Sequence, residues 1–354
     1  MSDLRVAIDG RLWGQTGIGR YISELCHALL QADEGIQILV FGSAHVHQRR
    51  LEWRTFQAPI YSLSEQVLGG LALRRAASQV SLFHAPHYNV PLLMPRPYVL
   101  TVHDLIPFRF REQFGRVHTE LGFRVLRRAT RGAAQIIVNS HCTERDLVAA
   151  IPQCRGKVRV IHLGVSEFFS PGIKGADRDV LNSQGVTRYI LTLSSRKPYK
   201  NLSTAIAAFR LVQRAYPDIS LVSVGPGGVG VENGVIHLGY VDDERLRSLY
   251  RSAECLVFPS LYEGFGLPVL EAMACGCPVV CSTGSGLDEV CGNAAVQRDP
   301  HDVDAFAEDI LKILQNIDFR ASLVQEGMLQ AKQFSWRQAA LKTLDVYRSV
   351  SMLQ

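Results

Sequence analysis

The stretch Pro259–Val280, PSLYEGFGLPVLEAMACGCPVV, decides how the chain folds. It reads as a loop, a helix and a strand in immediate succession. Glu263 lies in a loop bracketed by Gly264 and Gly266, and Pro268 opens the helix. Proline is favoured there because the N–H it lacks has no helical partner anyway. Cys275 and Gly276 end the helix, glycine being the usual residue just past a helix carboxyl end, and the apolar strand Pro278–Cys281 follows. A glycine-rich loop feeding a helix amino terminus makes an anion site, since free backbone N–H groups and the positive helix end point the same way. Glu263 and Glu271, with seven residues between them, place two carboxylates beside it. That combination suits hydroxyl groups, of a sugar and a ribose, held next to a diphosphate.

Outward from this stretch, short apolar runs alternate with helical patterns. Strands are expected at Arg5–Ile8, Gln37–Phe41, Ser81–His84, Tyr98–Val102, Gln135–Asn139 and Val158–Ile161, with helices at Gly19–Leu30, Val117–Arg131 and Thr143–Ala150. The scheme repeats with strands at Tyr189–Leu193, Ser220–Val224, Val235–Leu238 and Cys255–Phe258, and helices at Leu202–Tyr216, Asp243–Ser252 and Val303–Leu314. Continuous Val/Ile/Leu strands between helices imply parallel sheets covered on both faces. The fold class is α/β, and 354 residues are too many for one ordinary core. Two Rossmann-like domains are expected, 1–170 and 171–334, with the break in the glycine- and charge-rich run Phe169–Gln184. Residues 335–354 read as a helix that stays with the second domain or crosses back to the first. Two such domains would set their ligand-binding strand ends on either side of a cleft.

A 47% apolar and 20% charged composition excludes disordered and fibrous classes. No apolar run reaches the roughly 18–20 residues that span a bilayer. The start MSDLRVAIDG enters a strand without a signal-peptide layout, so a cytoplasmic protein is expected. Eight cysteines form no CxxC pair and no metal spacing with histidine, and read as small buried hydrophobes. Residues 1–170 carry 20 Lys+Arg against 13 Asp+Glu, and Arg109–Arg131 alone holds seven arginines and two glutamates. This is a solvated helix face or a contact for an anionic partner, a membrane surface or a lipid-linked phosphate. No groove-reading or base-stacking motif accompanies the charge, so nucleic acid is not expected.

Four clusters fall at expected strand ends. Gly10, Gly14, Gly17 and Gly19 follow the first strand, ahead of a helix at Arg20, without dinucleotide-fingerprint spacing. His103–Asp104 follow the strand Tyr98–Val102, where α/β proteins bind ligands. Arg196, Lys197 and Lys200, with Asn201, form a strand-to-helix turn suited to a leaving diphosphate. The Glu263 loop is the fourth. The pairs Asp177/Asp179 and Asp302/Asp304 do not follow strands, and the second reads as a helix start, so no catalytic metal is expected.

Together these residues resemble glycosyltransferase family 4, the retaining nucleotide-sugar transferases of GT-B fold. EGFGLPVLEAMACGCPVV looks like the family signature, and TVHDLIP (101–107), VNSHCTERDL (138–147), HLGV (162–165), KPYKNL (197–202) and GYVDDERLRSLY (239–250) also match. The likeness covers nearly the whole chain, is looser over residues 45–95, and lies nearest bacterial mannosyltransferases of lipopolysaccharide and other surface-polysaccharide biosynthesis. It implies that Glu263 and the N–H groups of Gly264, Phe265, Gly266 and Leu267 contact the donor hexose, and that Glu271 binds the ribose. Lys200, with Arg196 or Lys197, would hold the diphosphate; Ser194 and Ser195 stand where the family often has glycine, which leaves that second cation open. His103 would lie near the transferred sugar, Gly17 near the phosphates, and Val241, after Gly239 and Tyr240, near the nucleobase. The resemblance further implies a GDP-mannose donor, no cofactor or metal, a glycan or lipid-linked acceptor, and contact with the inner face of the membrane. A sugar-nucleotide epimerase or hydrolase could share the diphosphate site. A non-catalytic subunit would be marked by loss of His103, Lys200 or Glu263, and all three are present.

Overall fold

The structure is a computed structural model that describes residues 4–43, 49–56, 58, 62, 64–172, 181, 185–193, 197–226, 228–232 and 234–352. The chain divides into two compact units, Met1–Gly164 with Ser335–Gln354 (unit 1) and Val165–Phe334 (unit 2).

Unit 1 is built on seven strands: β1 (Arg5–Asp9), β2 (Gln37–Gly42), β3 (Leu51–Thr55), β4 (Leu82–Ala85), β5 (Tyr98–Val102), β6 (Gln135–Val138) and β7 (Val158–Val160). They form one parallel sheet in the order β3-β2-β1-β4-β5-β6-β7. Ile8 at its centre pairs with Val40 on one side and His84 on the other. Its helices are α1 (Thr16–Ala32), α2 (Gly70–Ala76), α3 (Ile106–Arg109), α4 (Arg111–Phe114), α5 (Arg116–Gly132) and α6 (His141–Ala150).

Unit 2 repeats the plan with β8 (Tyr189–Leu193), β9 (Ser220–Val224), β10 (Val229–Glu232), β11 (Val235–Gly239), β12 (Leu256–Phe258), β13 (Val279–Ser282) and β14 (Val296–Arg298), ordered β10-β11-β9-β8-β12-β13-β14. All pairs are parallel except β10–β11. Its helices are α7 (Leu202–Ala215), α8 (Asp243–Ser252), α9 (Leu267–Ala274), α10 (Leu287–Cys291), α11 (Val303–Gln315) and α12 (Ile317–Ala331). A last helix, α13 (Trp336–Ser351), belongs to unit 1 and packs on α1. Ser335 caps it by accepting from the Gln338 N–H, and it buries Trp336, Ala340, Leu344 and Tyr347, the three-to-four spacing of one helix face. Each large apolar side chain so buried contributes about 1.5–3 kcal/mol.

In both sheets the strand order reverses beside the first strand, between β1 and β4 and between β8 and β12. Doubly wound sheets bind ligands in the crevice outside the carboxyl ends of the strands at this switch point.

The structure corrects several sequence expectations. Strands β3, β10 and β14 were not expected; β10 is exposed at every residue and β3 at most, so neither carries an apolar run. Gly17 and Gly19 are not in a loop. They lie in the first turn of α1, closed by the Gly19 N–H to the Gln15 carbonyl at 2.9 Å. Gly14 makes the preceding turn at φ +70°, and Gly19 is required because a Cβ there would sit 2.0 Å from the Leu12 carbonyl oxygen. Asp302 caps α11 through the Ala305 N–H, as its helix-start reading implied. Asp177 and Asp179 lie outside the described residues. All eight cysteines are buried and free of disulfides.

Candidate active site

At the β8/β12 switch point, the described residues after β8 include a 3-10 turn, Pro198–Lys200, and β12 is followed by the loop leading to α9. Lys200 Nζ and Glu263 Oε1 meet at 2.6 Å. The Leu261 N–H donates to the Tyr199 carbonyl at 2.7 Å, so the basic turn and the acidic loop are one framework. Lys200 lies over the rings of Tyr199 (5.6 Å) and Phe258 (5.3 Å), which attract its charge. Asn201 takes a left-handed conformation at φ +52° and donates to the carbonyls of Pro259 and Pro300, fixing the start of α7.

The loop has little freedom. Gly266 caps α9 at φ +122°, where a Cβ would lie 2.5 Å from Leu287 Cδ2. Gly286 donates its N–H to the Glu263 carbonyl at 2.9 Å, and a Cβ there would strike the Gly264 carbonyl oxygen at 2.4 Å. Helix α10 therefore backs the loop. Gly264, Phe265 and Gly266 are buried and Leu267 is half-buried at the start of α9, where the first N–H groups of a helix lack intrahelical partners. Glu271 is buried one turn on and accepts from the Tyr250 hydroxyl at 3.3 Å. Gly276 takes φ +77° just past the helix end.

Lys200, Glu263 and the loop thus converge. Lys197 is exposed at the start of the same turn, 5.9 Å from the Tyr199 ring. Arg196 lies outside the described residues. Tyr240, mostly exposed, and half-buried Val241 follow β11, two strands from β8. The sequence reading missed Tyr199, Phe258 and Tyr250, aromatic groups whose spacing carries no signal until the strands are assembled.

In unit 1, His103 follows β5. Its Nε2 lies 2.9 Å from the Pro86 carbonyl, which can only accept, so Nε2 carries the proton and Nδ1 is an acceptor. Burial pushes its pKa down to about 4, against a smaller upward effect of that hydrogen bond, so the ring is neutral at pH 7. Tyr21 of α1 packs edge-on to it at 4.7 Å. Behind them lies a buried polar chain: the Tyr21 hydroxyl is 3.0 Å from Thr101 Oγ1, Thr101 Oγ1 is 2.7 Å from His84 Nε2, and His84 Nδ1 is 2.6 Å from the Tyr347 hydroxyl. Burial lowers the His84 pKa to about 3 and raises those of both tyrosines. Gly17 is exposed in α1, with nothing within 4 Å of the position a Cβ would take.

Comparison with known proteins supplies the family. Residues 15–168 match the family model described as Glycosyltransferase Family 4, and residues 174–330 match that of Glycosyl transferases group 1. The O-antigen chain mannosyltransferase B of Escherichia coli is 30% identical over 94% of this chain and 96% of its own length. Two solved structures share the fold. One is the sucrose-phosphate synthase of Thermosynechococcus elongatus (TM-score 0.78, 21% identity, 99% of this chain and 100% of that one). The other is Anabaena HepE in complex with UDP-glucose (TM-score 0.77, 18% identity, 98% and 100%). With matched models over both units and a full-length relative at this identity, the chain belongs to glycosyltransferase family 4 and is a glycosyltransferase built from two Rossmann-like units of the GT-B class.

Proposed function

We propose that the protein transfers mannose from GDP-mannose, with retention, onto a glycan or lipid-linked acceptor of cell-surface polysaccharide assembly. The Lys200–Glu263 pair at the unit 2 switch point carries this reading. Lys200, with Arg196 or Lys197, neutralises the diphosphate as it leaves, a charge-stabilising task that requires no metal. Glu263 and the N–H groups of Gly264 to Leu267 take the hexose hydroxyls, Glu271 takes the ribose, and Tyr240 with Val241 border the nucleobase. His103, neutral with Nδ1 as acceptor, takes a hydroxyl of the transferred sugar. In the transfer, the bond from the anomeric carbon to the phosphate oxygen breaks. The acceptor oxygen bonds to the same face, and its proton passes to the leaving phosphate oxygen.

The mannosyl assignment draws on the E. coli O-antigen mannosyltransferase relative. Membrane contact draws on α5. Val117 and Leu121 are 73% and 55% exposed, and Arg124, Arg128 and Arg131 continue the same helix face at three-to-four spacing. Those arginines, with Arg127 and Lys157, line a recess of about 560 Å3. An apolar tip followed by clustered cations fits an anionic bilayer surface. Among the described residues, no helix is long and apolar enough to cross a membrane.

The test is a transfer assay offering GDP-mannose and UDP-glucose with glycan acceptors, free and lipid-linked, followed by NMR of the product. An α-mannosyl product from GDP-mannose is expected. Preference for UDP-glucose would overturn the donor, and a β-linked product would overturn retention.

A further inference from the structure

The β1/β4 switch point of unit 1 holds an ionic cluster that the chemistry above leaves unused. Asp9 ends β1, and Arg11 turns back onto it with Nε 2.9 Å from Oδ1 and Nη2 2.6 Å from Oδ2. Arg11 Nη2 also lies 2.6 Å from Oε1 of Glu65, which is fully buried, and Nη1 donates to the Ala58 carbonyl at 3.3 Å. The guanidinium stacks on Phe56, and it is thereby held within the unit by hydrogen bonds to Asp9 and Ala58 and by the ion pair with Glu65. Glu65 Oε2 accepts from Asn89 Nδ2 at 2.7 Å. The Asn89 backbone N–H donates to His87 Nδ1 at 3.2 Å, which places the ring proton on Nε2. Burial, reinforced by His103, holds His87 neutral, with its pKa pushed down to about 4.

Burying these ions is costly and contributes little to net stability, because apolar residues of similar volume would serve as well. What the cluster does accomplish is to hold the Asp9 carboxylate, still 23% exposed, at one wall of a notch of about 10 Å3. Arg11, His87 and Asn89 complete its polar side, and Leu12 and Ile22 its apolar side. Such a volume admits one water-sized group. A phosphate is too large. It would also meet two carboxylates against one guanidinium whose donors are already committed.

We propose that this notch seats a single hydroxyl of a neutral sugar acceptor, with Asp9 as its hydrogen-bond acceptor and Arg11 and Glu65 as positioning residues. At this notch the acceptor is engaged through a hydroxyl and not through an anionic group. This rests on the transferase reading for its meaning, but its test does not need turnover.

Saturation-transfer NMR on the full chain with saturating GDP would use methyl α-D-mannopyranoside as the neutral probe and mannose 6-phosphate as the anionic one. The methyl glycoside should bind the wild type. Its affinity should fall about tenfold or more in Asp9→Asn, since a hydrogen bond to a charged group is lost. Leu12→Phe, which fills the notch and leaves the Asp9, Arg11 and Glu65 side chains in the sequence, should cause the same loss and serves where Asp9→Asn does not fold. Equal affinity in wild type, Asp9→Asn and Leu12→Phe would overturn the proposal. So would loss in Glu263→Ala alone, tighter binding of the phosphate through Asp9-independent contacts, or no binding by the wild type. Whether GDP-mannose raises the melting temperature tests the donor reading separately.

Discussion

The two switch points carry the same ingredients, a cation against a carboxylate at strand carboxyl ends, and use them differently. In unit 2, among the described residues, Lys200 gives Glu263 one short contact and otherwise meets the rings of Tyr199 and Phe258, which leaves its ammonium donors to spare there. In unit 1, Arg11 spends its fork on Asp9, Glu65 and a backbone carbonyl. Its side chain is 7% exposed against 21% for Lys200. The difference teaches that a cation marks an anion site by the donors it has left. On the proposed reading Lys200 serves the diphosphate, whereas Arg11 is a clamp that presents Asp9.

The comparison breaks first on stability. Arg11→Met strands two carboxylates, one fully buried, and should cost about 3–5 kcal/mol, seen as a large fall in the urea midpoint. Lys200→Met, at a pair open to solvent on one side, should shift the midpoint far less. Equal shifts would erase the distinction between clamp and ligand site. Kinetics should then invert the order. Lys200→Ala and Glu263→Ala should each lower turnover by about 10²–10³-fold with unchanged circular dichroism. Near wild-type transfer in either would remove that residue from the site.

Acid should sharpen the contrast. His84, His87 and His103 of unit 1 have pKa values of about 3, 4 and 4, below the ordinary 6.5, so the unfolded chain binds protons before the folded one does. Stability is unaffected above pH 6.5 and lost as pH falls from there towards 4, by about 1.4 kcal/mol per group per pH unit. Hydrogen exchange at pH 5 should show β4, β5 and α13 opening before unit 2, and uniform protection would contradict this. The smallest effect belongs to α5. Arg124→Ala with Arg127→Ala should weaken binding to anionic liposomes by about 1 kcal/mol per charge, and binding should fall with salt. Salt-insensitive binding would return that helix to a solvated face.

The alternating strands of both sheets were legible because parallel strands are apolar on both faces, and so were the places of His103 after β5, Lys200 in the turn after β8, and Glu263 and Glu271 in the loop and helix after β12. The edge strands β3 and β10 were not, because exposed strands carry no apolar run. Gly17 was misplaced because glycines suggested a loop where close packing of Gly19 on Leu12 demanded one inside a helix. The Asp9–Arg11–Glu65–Asn89 cluster was invisible for another reason: its members lie up to 80 positions apart and meet only when β1, β4 and the segment at Glu65 are side by side. The likeness to the family is also loosest over residues 45–95, where two of the four sit.

The donor assignment at the unit 2 switch point is tested most directly by calorimetric titration of GDP-mannose and of GDP into wild type, Lys200→Ala and Glu263→Gln. If Lys200 grips the diphosphate and Glu263 the hexose, Lys200→Ala should weaken both ligands by about tenfold or more, while Glu263→Gln weakens only GDP-mannose. Equal affinity of both ligands for all three proteins would contradict the account.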